Sequence, residues 1–212
     1  MSGFIFDLDG VLVDTARFHF EAWRELALEL GFDIDETFNE TLKGVSRIES
    51  LERILQKGKI NACDKQKAQW AEQKNLRYLE RVNQLTRANV LPGVREFLER
   101  SKVLKIPMAV GSASKNAGII LELTEIKDYF HAVIDGNHIS KGKPDPQVFL
   151  LAAEALRLAP EQCIVFEDAE AGIEAALAAG MYAVGVGELE KSDERISGFE
   201  GQDPEKFILD PL

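Results

Sequence analysis

Only one stretch near the start of the chain reads as a strand, and no other appears until Ile106. Gly3-Phe4-Ile5-Phe6 is a short apolar run that breaks off into Asp7-Leu8-Asp9-Gly10, and Val11-Leu12-Val13-Asp14-Thr15 comes next. A run of this kind, stopped by a polar turn containing glycine, is the pattern of a buried strand with an abrupt end. Asp7 and Asp9 then fall at its carboxyl end, where ligands bind in open α/β sheets. Two carboxylates so close repel each other, so either a cation lies between them or one keeps a proton. Alone, Asp-x-Asp-Gly is an ordinary turn. Polar residues at the ends of later strands decide otherwise.

From Thr15 to about Leu85 every apolar pattern is helical. Phe18, Trp23, Leu26, Ala27 and Leu30 share a face ended by Gly31, with Thr15 placed to cap it. Asp33 to Asn39 reads as a connection, and Leu51, Ile54 and Leu55 mark a second helix. Asp64 to Leu85 is a long charged helix with Trp70, Leu76, Tyr78 and Leu79 as candidate core contacts.

Beyond residue 85 strand and helix alternate. Strands are expected at Ile106 to Gly111, His131 to Ile134, Cys163 to Phe166 and Tyr182 to Val186, with helices between them. Alternation of this kind gives a parallel sheet covered on both faces. The fold class is therefore α/β: a doubly wound, Rossmann-like core built from residues 1–14 and 86–212. Residues 15–85 form a helical cap inserted after the first strand. Gly187 to Leu212 is expected to be surface connection and a terminal element.

Composition narrows the partners. A chain of 212 residues with net charge −11 has no basic block for nucleic acid, and no apolar stretch is long enough to span a membrane. Its acidic field also repels anionic ligands, so a phosphate would need local cations. Cys63 and Cys163 are far apart and imply no disulfide framework. The expectation is a soluble, cytoplasmic monomer.

Four polar signals stand at four strand ends: Asp7 with Asp9, Ser112, Lys143, and Glu167 with Asp168. Parallel crossovers bring all of these to one sheet edge. With Phe6-Asp7-Leu8-Asp9-Gly10-Val11, the strand ending in Ser112, Lys143-Pro144, and Phe166-Glu167-Asp168-Ala169-Glu170-Ala171-Gly172-Ile173 in that order, the chain resembles the haloacid dehalogenase superfamily of phosphotransferases over nearly its whole length. The second aspartate, Asp9, separates this pattern from the true dehalogenases.

The resemblance implies roles. Asp7 would attack phosphorus to give an aspartyl phosphate, with Asp9 as general acid and base. Mg²⁺ would be held by Asp7, the Asp9 backbone carbonyl and Asp168, with Glu167 in or near its shell. Lys143 and Ser112 would hold the phosphoryl group. The inserted helices resemble the cap of the superfamily's hexose-phosphate mutases, which implies a phosphorylated hexose as substrate. In that comparison Arg47 holds the phosphate that is not transferred, as a guanidinium fork does well. Gly44 and Val45 offer backbone at the lid edge. Ser50 and Lys74 meet sugar hydroxyls, and Ala113, Lys115 and Asn116 line the core side. Thr15 and His19 couple lid closure to Asp9. The implied reaction interconverts β-D-glucose 1-phosphate and glucose 6-phosphate through the 1,6-bisphosphate. A sugar-phosphate or phosphoglycolate phosphatase is the alternative, followed by a phosphonatase using Lys43 and a non-enzymatic receiver-like module.

Overall fold

The structure, a computed structural model, describes residues 2–208. Strand β1 (Gly3–Phe6) lies at the centre of a six-stranded parallel sheet of order β3-β2-β1-β4-β5-β6. The other strands are β2 (Met108–Gly111), β3 (Ala132–Ile134), β4 (Cys163–Glu167), β5 (Tyr182–Val186) and β6 (Glu194–Ile196). Phe6 pairs with Phe166, and the Asp7 amide donates to the Phe166 carbonyl at 2.9 Å. The β1/β4 junction therefore sets Asp7 beside Glu167 and Asp168, at the point where the strand order reverses.

Side-chain alternation along β1 divides the core. Phe4 and Phe6 enter one apolar cluster with α5 (Val94–Val103), while Ile5 enters a second with α7 (Gln147–Leu156) and α8 (Glu170–Ala178) on the opposite face. The first cluster is rich in rings: Phe6 stacks on Phe166 at 4.9 Å, and Phe97 meets Phe199 at 4.9 Å. Phe199 and Phe207 are buried there, and β6 adds a parallel strand beside β5. The tail after Gly187 is thus part of the core rather than the surface connection expected from sequence. Polar spacing hid it, since single aromatic anchors carry no periodicity. The expected tail residues 209–212 lie outside the described residues.

Helices α1 (Ala16–Glu29), α2 (Glu36–Glu40), α3 (Arg47–Lys57) and α4 (Asp64–Val82) form a lobe with its own apolar cluster around Trp23, Leu26, Leu51, Ile54 and Leu55. The segment read as a connection contains α2, capped by Asp35, whose carboxylate accepts from the Phe38 amide at 2.8 Å. On α4 the buried stripe is Ala71, Lys74, Tyr78 and Val82, and Leu76 is exposed, against expectation. A lysine sits in that stripe because the face meets a polar cleft as well as apolar neighbours. The two chain segments joining lobe and core are tied by a β-bridge between Val13 and Val90. Helix α6 (Ala117–Leu123) comes after the loop that leaves β2. Among the described residues no helix is long and apolar enough to cross a membrane.

Candidate active site

Asp7 is nearly buried, and Lys143 behind it is fully so. The Lys143 ammonium donates to Asp7 Oδ1 at 2.5 Å and to Glu167 Oε2 at 2.7 Å, and it lies 4.7 Å from the Phe149 ring centre. Burial alone would lower the pKa of this lysine. The charges of Asp7 and Glu167 outweigh burial and raise it, so it stays a cation. Lys143 reaches this point from the loop after β3, not from a strand end.

Carboxylate oxygens of Asp7, Glu167 and Asp168 lie within 4.8 Å of one another. Burial and the Asp7 charge push Asp168 up to about 7 and also raise Glu167. Three carboxylates exceed what one buried ammonium neutralises, and their donors are hard oxygens. The residues therefore fit a divalent cation such as Mg²⁺. Two glycines make room for them. A Cβ on Gly172 would stand 2.0 Å from Glu167 Cδ, and one on Gly10, whose φ is +86°, would stand 2.3 Å from Asp168 Oδ2.

The Asp9 carboxylate is not in this cluster. Its Oδ1 accepts from Thr15 Oγ1 at 2.5 Å. Thr15 occupies the position before α1 but makes no side-chain cap there, because its hydroxyl is committed to Asp9. Burial, then the Asp7 charge, raise the Asp9 pKa to about 6, near the optimum for an acid that must also act as a base. His19 Nε2 is buried without a hydrogen-bond partner and lies 3.8 Å from Asp9 Oδ1. Its Nδ1 is 2.9 Å from Lys74 Nζ. Burial, then the charges of Lys74 and Arg47, hold the imidazole pKa well below its usual value. Lys74 itself is buried and packs over the rings of Trp23 and Tyr78. It is a solvated surface lysine in no sense.

Between lobe and sheet edge is a cleft of about 430 Å³. Asp7, Asp9, His19, Gly44, Val45, Arg47, Ser50, Lys74, Ser112, Ala113, Lys115, Asn116 and Asp168 all line it. Thr15, Lys143 and Glu167 stand behind that lining. Ser112 Oγ accepts from the Ser114 amide at 3.1 Å, so the residue shapes its own loop rather than capping α6, and its hydroxyl proton remains to be donated. Asn116 Nδ2 donates to Asn75 Oδ1 at 3.1 Å, joining core and lobe across the cleft. Gly44, at φ +72°, seats the lobe's loop on the core: a Cβ there would be 3.4 Å from Ala169 and 3.7 Å from the Lys143 stem. Arg47, at the start of α3, makes no hydrogen bond or ion pair among the described residues. Burial lowers its pKa from a very high starting value against the more distant Glu72 and Tyr78, so it remains a cation facing the cleft with no close ion pair.

Sequence reasoning missed two contributors, and the structure corrects the expectation for a third residue, Lys43. Gly136 and residues 139–142, which matched no expected role, line the cleft wall. Tyr78, read only as a core contact, brings its hydroxyl to 3.4 Å from Asp9 Oδ1. Its i+4 spacing from Lys74 was the available signal. Lys43 pairs with Glu40 at 2.9 Å and with Asp168 at 3.4 Å. Burial would lower its pKa, but Asp168 and Glu40 prevail and raise it, which disqualifies it as the neutral amine a Schiff base requires.

Residues 1–180 match the family model of haloacid dehalogenase-like hydrolases. The chain belongs to that family and is an enzyme. It is 44% identical over 190 residues to a β-phosphoglucomutase of Bacillus subtilis, covering 89% of this chain and 84% of that protein. A phosphorylated carbohydrates phosphatase of Thermotoga maritima is 35% identical over 184 residues, covering 85% and 82%. The crystal structure of a β-phosphoglucomutase from Clostridium difficile superposes with TM-score 0.93 at 41% identity, covering 97% of this chain and 95% of that one. The family match disposes of the receiver-like alternative.

Proposed function

We propose that the enzyme interconverts β-D-glucose 1-phosphate and glucose 6-phosphate, with Asp7 carrying the phosphoryl group between them. One observation bears most of the weight. The cleft offers two separate places for anionic oxygens: the Asp7 end, with Ser112 and Lys143, and the unpaired Arg47 on the lobe. Hydrolysis of a monophosphate uses only the first, whereas passage through a bisphosphate needs both.

Position assigns each step. The sugar's 6-hydroxyl oxygen attacks the phosphorus of phosphorylated Asp7, the bond from phosphorus to Asp7 breaks, and the hydroxyl proton passes to Asp9. Arg47 meanwhile holds the 1-phosphate. After the bisphosphate has turned over in the cleft, Asp7 attacks the 1-phosphate, and Asp9 returns its proton to the departing sugar oxygen. Lys143 keeps Asp7 oriented and offsets charge on the phosphoryl oxygens. Asp7, Asp168 and the Asp9 carbonyl, with Glu167 beside them, would hold a Mg²⁺ ion, which would supply further positive charge for the transferring phosphoryl group. Trp23, Val45 and the α3 start help to keep water from the cleft while sugar is bound.

Phosphorus NMR on protein, Mg²⁺, β-glucose 1-phosphate and a trace of the bisphosphate tests the reading. Glucose 6-phosphate without release of inorganic phosphate is expected. Inorganic phosphate without isomer would transfer the chain to the phosphatase branch represented by its Thermotoga relative.

A further inference from the structure

The three carboxyl groups of the acidic centre are not served by the same cation. Lys143 reaches Asp7 at 2.5 Å and Glu167 at 2.7 Å from the core side. Asp168 pairs instead with Lys43, whose ammonium lies 3.4 Å from its Oδ2 and is, among the described residues, the only cation within ion-pair distance of it. Lys43 belongs to the helical lobe, in the loop between α2 and α3. A carboxylate assigned to the metal is thus also the anchor of a charge from the lobe.

The two ammonium groups differ in freedom. The Lys143 side chain has no exposed surface, whereas that of Lys43 is 26% exposed. Lys43 also has a second and shorter pairing, 2.9 Å to Glu40 at the end of α2. It can therefore release Asp168 without becoming a lone charge. Lys43 and Asp168 line both the substrate cleft and a second cavity of about 500 Å³, which Gly10, Leu91, Glu188 and Glu200 help to enclose. Their ion pair is a partition between the two spaces. Among the described residues lining the second cavity Lys43 is the one basic side chain, against Glu40, Asp168, Glu188 and Glu200. The field there draws cations toward Asp168, and Lys43 alone opposes it. A divalent ion on Asp168 and an ammonium beside the same carboxylate repel each other over a few ångströms, in a partly buried setting where water screens them incompletely.

We propose that Lys43 competes with the divalent ion for Asp168 and thereby sets the affinity of the acidic centre for its metal. This rests on the reading of Asp7, Glu167 and Asp168 as a metal centre, and not on the choice between mutase and phosphatase. Each cation weakens the hold of the other on Asp168 by the same factor. With the metal in place, Lys43 keeps Glu40 as its partner.

The test is calorimetric titration of Mg²⁺ into EDTA-treated, dialysed protein without substrate. Lys43→Met should bind Mg²⁺ about fivefold more tightly than wild type, the worth of a partly exposed charge contact. Lys43→Arg keeps the charge and should stay within about twofold of wild type. Lys127→Met removes a charge of the same sign from an exposed pair with Glu122 ahead of β3, at the other edge of the sheet, and should also stay within about twofold. An unchanged or weaker Mg²⁺ affinity in Lys43→Met overturns the proposal while the metal reading stands. Equal tightening in Lys43→Met and Lys127→Met overturns it as well, since net charge alone would then account for the effect. A wild-type protein that binds no Mg²⁺ overturns both the proposal and the metal reading.

Discussion

Lys143 and Glu167 lie 2.7 Å apart, and neither side chain is exposed to solvent. The same ammonium reaches Asp7 at 2.5 Å, so one buried cation is shared between two buried carboxyl groups. Removing one partner of such a group leaves charge without compensation, at a cost of about 3–5 kcal/mol. Lys143→Met is therefore expected to lower the thermal midpoint of the chelator-treated protein by roughly 10 °C. Isomerase activity should fall at least about a hundredfold, because the developing phosphoryl charge loses a fixed donor. Added Mg²⁺ should recover part of the stability and little of the activity. Calorimetry with and without EDTA makes the comparison, and a variant as stable as the parent in EDTA would contradict this role.

The raised pKa of Asp9 has a definite sign in stability. Its value in the folded protein is about 6 against 3.8 when free. Between those values the native state binds more protons than the unfolded one, so stability falls as pH rises from about 4 to about 6 and stays lower above. About one-fifth of the side chain is exposed, which discounts the effect to about 1–2 kcal/mol. Asp9→Asn removes the titration while keeping an acceptor for Thr15. Its thermal midpoint relative to wild type, in EDTA, should be higher at pH 7.5 than at pH 4.5 by roughly 3–6 °C. A difference that is flat or opposite in sign across that range would refute the assignment. The same variant should lose about two to four orders of magnitude in isomerase turnover.

Arg47 forms no hydrogen bond or close ion pair among the described residues and feels only the longer-range charges of Glu72 and Tyr78, so removing it costs little internal bonding. Arg47→Ala should leave the thermal midpoint nearly unchanged and raise KM for the sugar phosphate about 10- to 100-fold, the worth of a charge-assisted fork. Release of phosphate from acetyl phosphate, which carries no second anion, should stay near the wild-type rate. Equal losses on both substrates would mean that Arg47 acts at Asp7 and not at a distal phosphate. Arg47→Lys should recover only part of the KM, since an ammonium is a point charge.

Five of the six strands were legible, because short apolar runs such as those ending in Asp7, Ser112 and Glu167 leave few alternatives to a parallel sheet, while β6 was not. The acidic centre was legible for the same reason, as strand ends share an edge. Less accessible were contacts that cross between elements. Lys74 looks like one charge among many on α4 until the fold sets it against Trp23, Tyr78 and His19. Thr15 has the spacing of a helix cap, and only the return of the chain over Asp9 diverts its hydroxyl. Phe199 and Phe207 sit in a polar tail without periodicity, and long-range packing alone brings them to Phe97 and Phe166.

Local pattern decided which residue types stand at each strand end, and hence the kind of chemistry: a carboxylate nucleophile, an acid two residues on, and a lysine and acidic pair to balance them. Tertiary structure decided how those charges neutralise one another, which oxygens of Asp9 are engaged, and that the lobe reaches Asp9 through Tyr78 and Asp168 through Lys43. The reason is range. Periodicity and turn chemistry act over a few residues, whereas pairing, burial and the resulting shifts in proton affinity depend on distances of a few ångströms between groups far apart in the chain.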